Sequence, residues 1–158
     1  MPCAMSLSVL VVGGENLCRS PLGAVLLAEA ASAAGVPASV RSAGFRVRTG
    51  YPVDTFTDLV AREHGVDLSS HRARQITGAG LREADLVLVM DHGLRCEVQD
   101  FAPNLSDRVR LFDHWLGGRG IVDPRHRSRE FYQAVHRLIA EAAGAGAEHL
   151  TEKLFLPT

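Results

Sequence analysis

Lysine is almost missing from this sequence of 158 residues: Lys153 stands alone among 17 basic residues, and the others are all arginine. Arginine's planar fork can grip two oxygens at once, so the bias suits contacts with carboxylate or phosphate groups. Net charge is equally scarce. The 17 basic residues face 18 acidic ones, a formal charge of -1 with an isoelectric point near 6.6. That excludes a global field recruiting nucleic acid or an anionic membrane, and any charge-based recognition must be local. Cysteine is sparse too. Cys3, Cys18 and Cys96 are too few for a disulfide framework and lack the paired C-x-x-C spacing of a structural zinc site, so a reducing, cytoplasmic setting is expected. The longest apolar run, residues 7–12, is interrupted by Ser8. It is too short to span a bilayer, and no basic segment precedes it as in a secretory signal, so the expectation is a soluble chain with no membrane partner. Internal repeats and low-complexity blocks are also missing.

What is present suits one domain over 1–158 with a proper core: 46% of residues are hydrophobic and 22% charged. Four β-rich runs, at 7–12, 38–41, 84–90 and 108–112, alternate with helical patterns at 19–34, 53–64, 92–101 and 128–143. This alternation predicts an α/β fold in three layers, a four-stranded parallel sheet with helices on both faces and right-handed crossovers. Gly35 and Gly65 are placed to stop the first two helices, Gly144 and Gly146 are expected to break the last, and Asp91 or Ser128 are candidate helix caps. Ligands of an open α/β sheet bind beyond the carboxyl ends of its strands, which directs attention to the loops after Val12, Arg41, Met90 and Phe112.

The first of these loops, Gly13-Gly14-Glu15-Asn16-Leu17-Cys18-Arg19-Ser20-Pro21, turns a buried strand directly into a helix. Its backbone N–H groups and the positive end of the helix dipole would point at an anion, and Arg19 would add a two-pronged contact. A tight turn that binds nothing is the plain alternative. Neither dinucleotide nor P-loop nucleotide patterns fit.

Asn16-Leu17-Cys18-Arg19-Ser20-Pro21 resembles the phosphate loop of the low-molecular-weight protein tyrosine phosphatases and their arsenate reductase relatives. Ser42-Ala43-Gly44 with Gly50-Tyr51-Pro52, then the run from Asp67 to Arg74, and Asp123-Pro124 ahead of Phe131 fall in the family's order. The four motifs cover roughly residues 7 to 142, whereas N-x-C-R-S alone would be a weak signal. The resemblance implies the phosphotyrosine phosphatase I-like, flavodoxin-like fold. It assigns the anion to the loop from Gly14, Glu15, Asn16, Leu17 and Cys18 to Arg19, and the general acid to Asp123. It also implies that Asn16 is left-handed and supported by Ser20, Ser42 and His71.

The family nucleophile is a cysteine six residues before the arginine, and counting back from Arg19 arrives at Gly13. No C-x5-R occurs in the chain. The expectation is therefore a catalytically impaired pseudophosphatase, slowed by at least about a few thousand-fold, that holds phosphate, sulfate or another anionic ligand, free or on a phosphoprotein. Two alternatives stand beside it: a phosphatase using water or Cys18 with Asp123, and an interaction module with a purely structural loop. Cys18, at a helix N-terminus, should have a lowered pKa yet face away from the anion as an inert thiol. Glu15, where the family has glycine or alanine, is expected to point outward. Arg48, Arg125 and His126 are expected on the pocket rim, costing a phosphotyrosine ring its stacking surface; Arg46, Arg127 and Arg129 lie close in sequence, with solvated surface arginines as the plain alternative. No cofactor, metal or nucleic-acid partner is expected. His92 and Cys96 read as a helix face, His64 and His149 as exposed helix ends, and Trp115 as core.

Overall fold

The computed structural model describes residues 6–155, with side chains through Glu152. Cys3 lies outside the described residues, as does the side chain of Lys153. The strands are β1 (Leu7–Gly13), β2 (Ala38–Gly44), β3 (Leu86–Val89) and β4 (Val109–Leu111), all parallel in the order β2-β1-β3-β4. Burial explains their composition. Central β1 is closed in on both faces and reads as a continuous apolar run through Val9, Leu10, Val11 and Val12. Edge strand β2 alternates half-buried and exposed positions until its last residues enter the core.

The helices are α1 (Arg19–Ala33), α2 (Thr55–Glu63), α3 (Gly78–Glu83), α4 (His92–Phe101) and α5 (Arg129–Phe155), with short 3-10 turns at Pro103–Arg108 and His114–Leu116. α1, α2 and α5 pack together, while α3 packs on β1 and α4 on β3 and β4. Gly23 brings α1 close to the sheet: a Cβ there would stand 2.7 Å from Met90 Cε and 3.1 Å from the Phe112 ring. Asp54, Thr77 and Asp91 cap α2, α3 and α4 by accepting hydrogen bonds from the N–H groups of Thr57, Gly80 and Leu94. Ser128 Oγ does the same for Phe131 at the start of α5. Gly35 and Gly65 follow α1 and α2 at φ +74°, the left-handed geometry of a glycine stop.

Gly144 and Gly146 do not break the last helix, which runs on to Phe155. Its buried stripe of Ala142, Ala143, Ala147 and Leu150 continues past both glycines. At Gly146 a Cβ would meet Leu27 Cδ1 at 3.6 Å and the Trp115 ring at 3.8 Å. At Gly146 that close packing offsets a helix penalty of about 1 kcal/mol; at Gly144 a Cβ would meet no atom within 4 Å, and the buried stripe alone carries the helix past it. The short α3 and both 3-10 turns went unanticipated because each is too brief to leave a periodic pattern. His149 also differs from expectation: it is half-buried and stacks on Trp115 with ring centroids 4.3 Å apart. His64, exposed as expected, stacks on His136 at 4.1 Å.

Candidate anion-binding site

The loop from Gly14 to Cys18 leaves the carboxyl end of β1 and enters α1. Its carbonyls are turned outward: Gly14 O accepts from Arg46 N at 2.8 Å, Leu17 O from Asp54 N at 2.8 Å, and Asn16 O from His71 Nε2 at 2.8 Å. The His71 ring must carry its proton on Nε2 for that bond, and burial holds its pKa below the ordinary value. Among the described residues no protein acceptor meets the backbone N–H groups from Gly14 to Arg19. Buried backbone donors are almost always paired, and this unbroken run of free N–H groups around a concavity has the geometry that can receive an anion.

Asn16 makes the reversal of the loop possible. Its φ is +59°, a left-handed conformation that costs a non-glycine residue roughly 1 kcal/mol or more. The side chain is fixed on every polar atom: Nδ2 donates to Ser20 Oγ at 2.9 Å and to Ser42 Oγ at 3.0 Å, and Oδ1 accepts from Arg74 N at 2.9 Å. Gly44 stands just beneath, where a Cβ would lie 2.6 Å from Gly14 O and 3.0 Å from Asn16 N.

The concavity encloses about 100 Å³ and is lined by the loop residues Gly13 to Ser20 with Arg46, Asp123 and Arg125. Arg19 is anchored through Nη1, which donates to Asp91 Oδ2 at 2.9 Å and to Ile121 O at 2.5 Å. One corner of the guanidinium is thus locked while its other donors have no protein acceptor among the described residues. Asp123 sits at the mouth, its Oδ1 accepting from Arg125 N at 3.0 Å. Glu15 is exposed, and its carboxylate is ion-paired with Arg125, because the loop after Ile121 brings that guanidinium over the cradle's edge.

Gly13 ends β1, and the space beside it belongs to Ser20, whose Oγ lies 2.7 Å from the point where a Cβ would be. Cys18 faces away, buried with Val60 and Tyr132, and its Sγ is 2.9 Å from Thr57 Oγ1. Here the expectation of a lowered pKa is corrected. Burial pushes the Cys18 thiol up to about 12, and neither the Thr57 hydrogen bond nor the Arg19 charge offsets it.

A second concavity of about 350 Å³ adjoins the first and is lined by Glu15, Leu17, Arg46, Arg48, Tyr51 and Arg125. Arg48 and Arg125 are therefore brought together, whereas His126 is exposed at φ +67° and lines neither hollow. Arg127 lies over the Phe131 ring at 5.2 Å, and Arg129 pairs with Glu63. Tyr51 lines the second concavity but not the first, whereas Leu17 lines both. Sequence reasoning also missed that Asp91 orients Arg19. The available signal was its position directly after β3, at the carboxyl edge of the sheet. His92 and Cys96 are both exposed on α4, and no cluster of three metal-ligating side chains occurs among the described residues. No helix among them is long and apolar enough to cross a membrane.

The family model for low molecular weight phosphotyrosine protein phosphatase matches residues 8–155. The probable low molecular weight protein-tyrosine-phosphatase AmsI of Erwinia amylovora is 37% identical over 139 residues, covering 86% of this chain and 92% of its own. Among solved structures, Wzb of Vibrio vulnificus in complex with benzylphosphonate superposes with a TM-score of 0.85 at 34% identity, covering 92% of this chain and 99% of its own. The tyrosine phosphatase Wzb from Escherichia coli K30 in complex with sulphate gives 0.86 at 33%, with the same coverages.

Proposed function

Because the chain belongs to the low-molecular-weight phosphotyrosine protein phosphatase family, we propose that its loop binds phosphate, sulfate or a related anion, free or on a phosphoprotein, and that it does so as a catalytically impaired pseudophosphatase. The observation carrying the binding half is the run of unpartnered N–H groups from Gly14 to Arg19 around a hollow of about 100 Å³. Related proteins support it: one Wzb was solved with sulphate and another with benzylphosphonate. Asp91 and Ile121 O hold Arg19 in place, so little of its side-chain entropy is left to lose when an anion arrives.

The impairment rests on Gly13. A covalent phosphoryl intermediate needs a nucleophile at the floor of the cradle, and glycine supplies none. Cys18 is a poor substitute: it is buried behind the loop and protonated at neutral pH, its pKa pushed up to about 12. Asp123 lies at the mouth, where it can give a proton to a leaving oxygen, and this position favours the one rival reading, hydrolysis by water assisted by Asp123. The same proposal places the protein in a reducing, cytoplasmic setting, supported by free thiols at Cys18 and Cys96.

Calorimetric titration with phosphate, sulfate and phosphotyrosine, run beside a sensitive phosphatase assay, tests both halves. Binding without turnover is expected. Turnover abolished by Asp123→Ala establishes the rival, and neither binding nor turnover leaves a structural loop in an interaction module.

A further inference from the structure

The hollow accounts for one oxyanion, yet the charged surface continues beyond it. The adjoining groove is lined by three guanidinium groups, Arg46, Arg48 and Arg125, against the single carboxylate of Glu15. Arg46 is engaged by Glu97, with Nη1 at 2.9 Å from Oε2. Arg48 is exposed and has no carboxylate within ion-pair reach among the described residues; its guanidinium lies 5.7 Å from the Tyr51 ring centroid. Arg125 is held by Glu15, and this contact shows what the groove accepts: the protein lays one of its own carboxylates there, on the side chain that borders both concavities.

We propose that this groove is a subsite for a second anionic group on the ligand whose phosphate sits in the hollow, with Arg48 and Arg125 as its receptors and Glu15 as the internal carboxylate it displaces. The inference rests on the anion-binding reading of the hollow. The ligand class is a phosphotyrosine segment with a carboxylate side chain next to the phosphorylated residue, since Leu17, which lines both concavities, and Tyr51, which lines the groove, offer apolar surface beside the charges. Arginine suits this exchange because its fork receives carboxylates of either origin with the same two-pronged geometry. Displacement of Glu15 offsets part of the gain, so selectivity comes mainly from Arg48, which gives up no partner of opposite charge.

The test uses short phosphotyrosine peptides flanked by glutamate or by glutamine, with sulfate as the control, titrated into the full chain at low ionic strength. The acidic peptide is expected to bind roughly three- to tenfold more tightly, a ratio typical of one or two exposed ion pairs, and to lose that margin as salt rises. In Arg48→Ala the ratio falls to about one, and in Glu15→Gln it widens as Arg125 is released. Equal affinity for the two peptides while sulfate still binds overturns the subsite and leaves the hollow standing. Failure of sulfate and both peptides alike overturns both. An unchanged ratio in Arg48→Ala also overturns the assignment.

Discussion

The Ser20 hydroxyl stands 2.7 Å from where a Cβ on Gly13 would be placed. The serine occupies room that a side chain at position 13 would claim, and it accepts a hydrogen bond from Asn16 there. Introducing Gly13→Cys therefore requires Ser20 to give way twice: rotation about χ1 carries Oγ aside, and Cβ, which would stand 3.1 Å from the new side chain, must shift by a few tenths of an ångström. The expected outcome is phosphatase activity toward an aryl phosphate at least about a thousandfold above the parent chain, because the cradle and Asp123 are already assembled. Steady-state turnover reads it. If the cysteine variant folds, binds sulfate and stays silent, the impairment lies in Glu15 or the rim.

Gly44→Ala should be far less tolerable than its size suggests. The added methyl meets Gly14 O at 2.6 Å and Asn16 N at 3.0 Å, both backbone atoms that no rotamer change can move aside. A loss of roughly 1–3 kcal/mol is expected from overpacking, with weaker sulfate binding as the loop is pushed out of shape. Urea unfolding and calorimetry measure the two effects.

Asn16 separates backbone strain from hydrogen bonding. Asn16→Ala leaves a φ of +59° on a residue poorly suited to it and removes the contacts to Ser20, Ser42 and Arg74. Asn16→Gly removes the same contacts but accepts the backbone angle. Both should destabilise, by about 2–4 kcal/mol for alanine and roughly 1 kcal/mol less for glycine. Equal losses would show that strain contributes nothing.

Acid should weaken the fold through His136. Burial, with His64 stacked on it and Arg137 nearby, lowers its pKa to about 4, and its Nδ1 has no hydrogen-bond partner among the described residues. The folded protein thus keeps the ring neutral, while the unfolded chain takes up a proton below about pH 6.5. Stability from this site is complete above pH 6.5 and is lost as pH falls toward 4, by up to about 3 kcal/mol. Denaturation midpoints at pH 7.5 and pH 5 should separate in the parent and converge in His136→Leu.

Cys18 should resist alkylation in the folded state. With its pKa pushed up to about 12, almost none is thiolate at pH 8, and it is buried as well. Iodoacetate followed by peptide mass spectrometry should label the exposed Cys96 well before Cys18. Rapid labelling of Cys18 would restore it as a nucleophile candidate.

The chain order settled much in advance. The alternation of apolar strands with helical patterns, the loop after β1, the arginine at its end and the lack of a sulfur six residues earlier are all local, and local periodicity records which faces must be buried. The end of α5 was misread for the same reason, because a glycine's intrinsic penalty is visible in sequence and the groove it fills against Leu27 and Trp115 is not.

Only the tertiary structure decided the charge partners. Arg19 meets Asp91 across 72 positions, Asn16 meets Arg74 N across 58, and Arg125 reaches Glu15 across 110. Parallel crossovers gather the strand ends at one edge of the sheet, and which guanidinium then faces which carboxylate depends on loop paths that no periodicity encodes. The Cys18 thiol follows the same rule: its neighbours in sequence promised a lowered pKa, and packing against Val60 and Tyr132 reversed the sign.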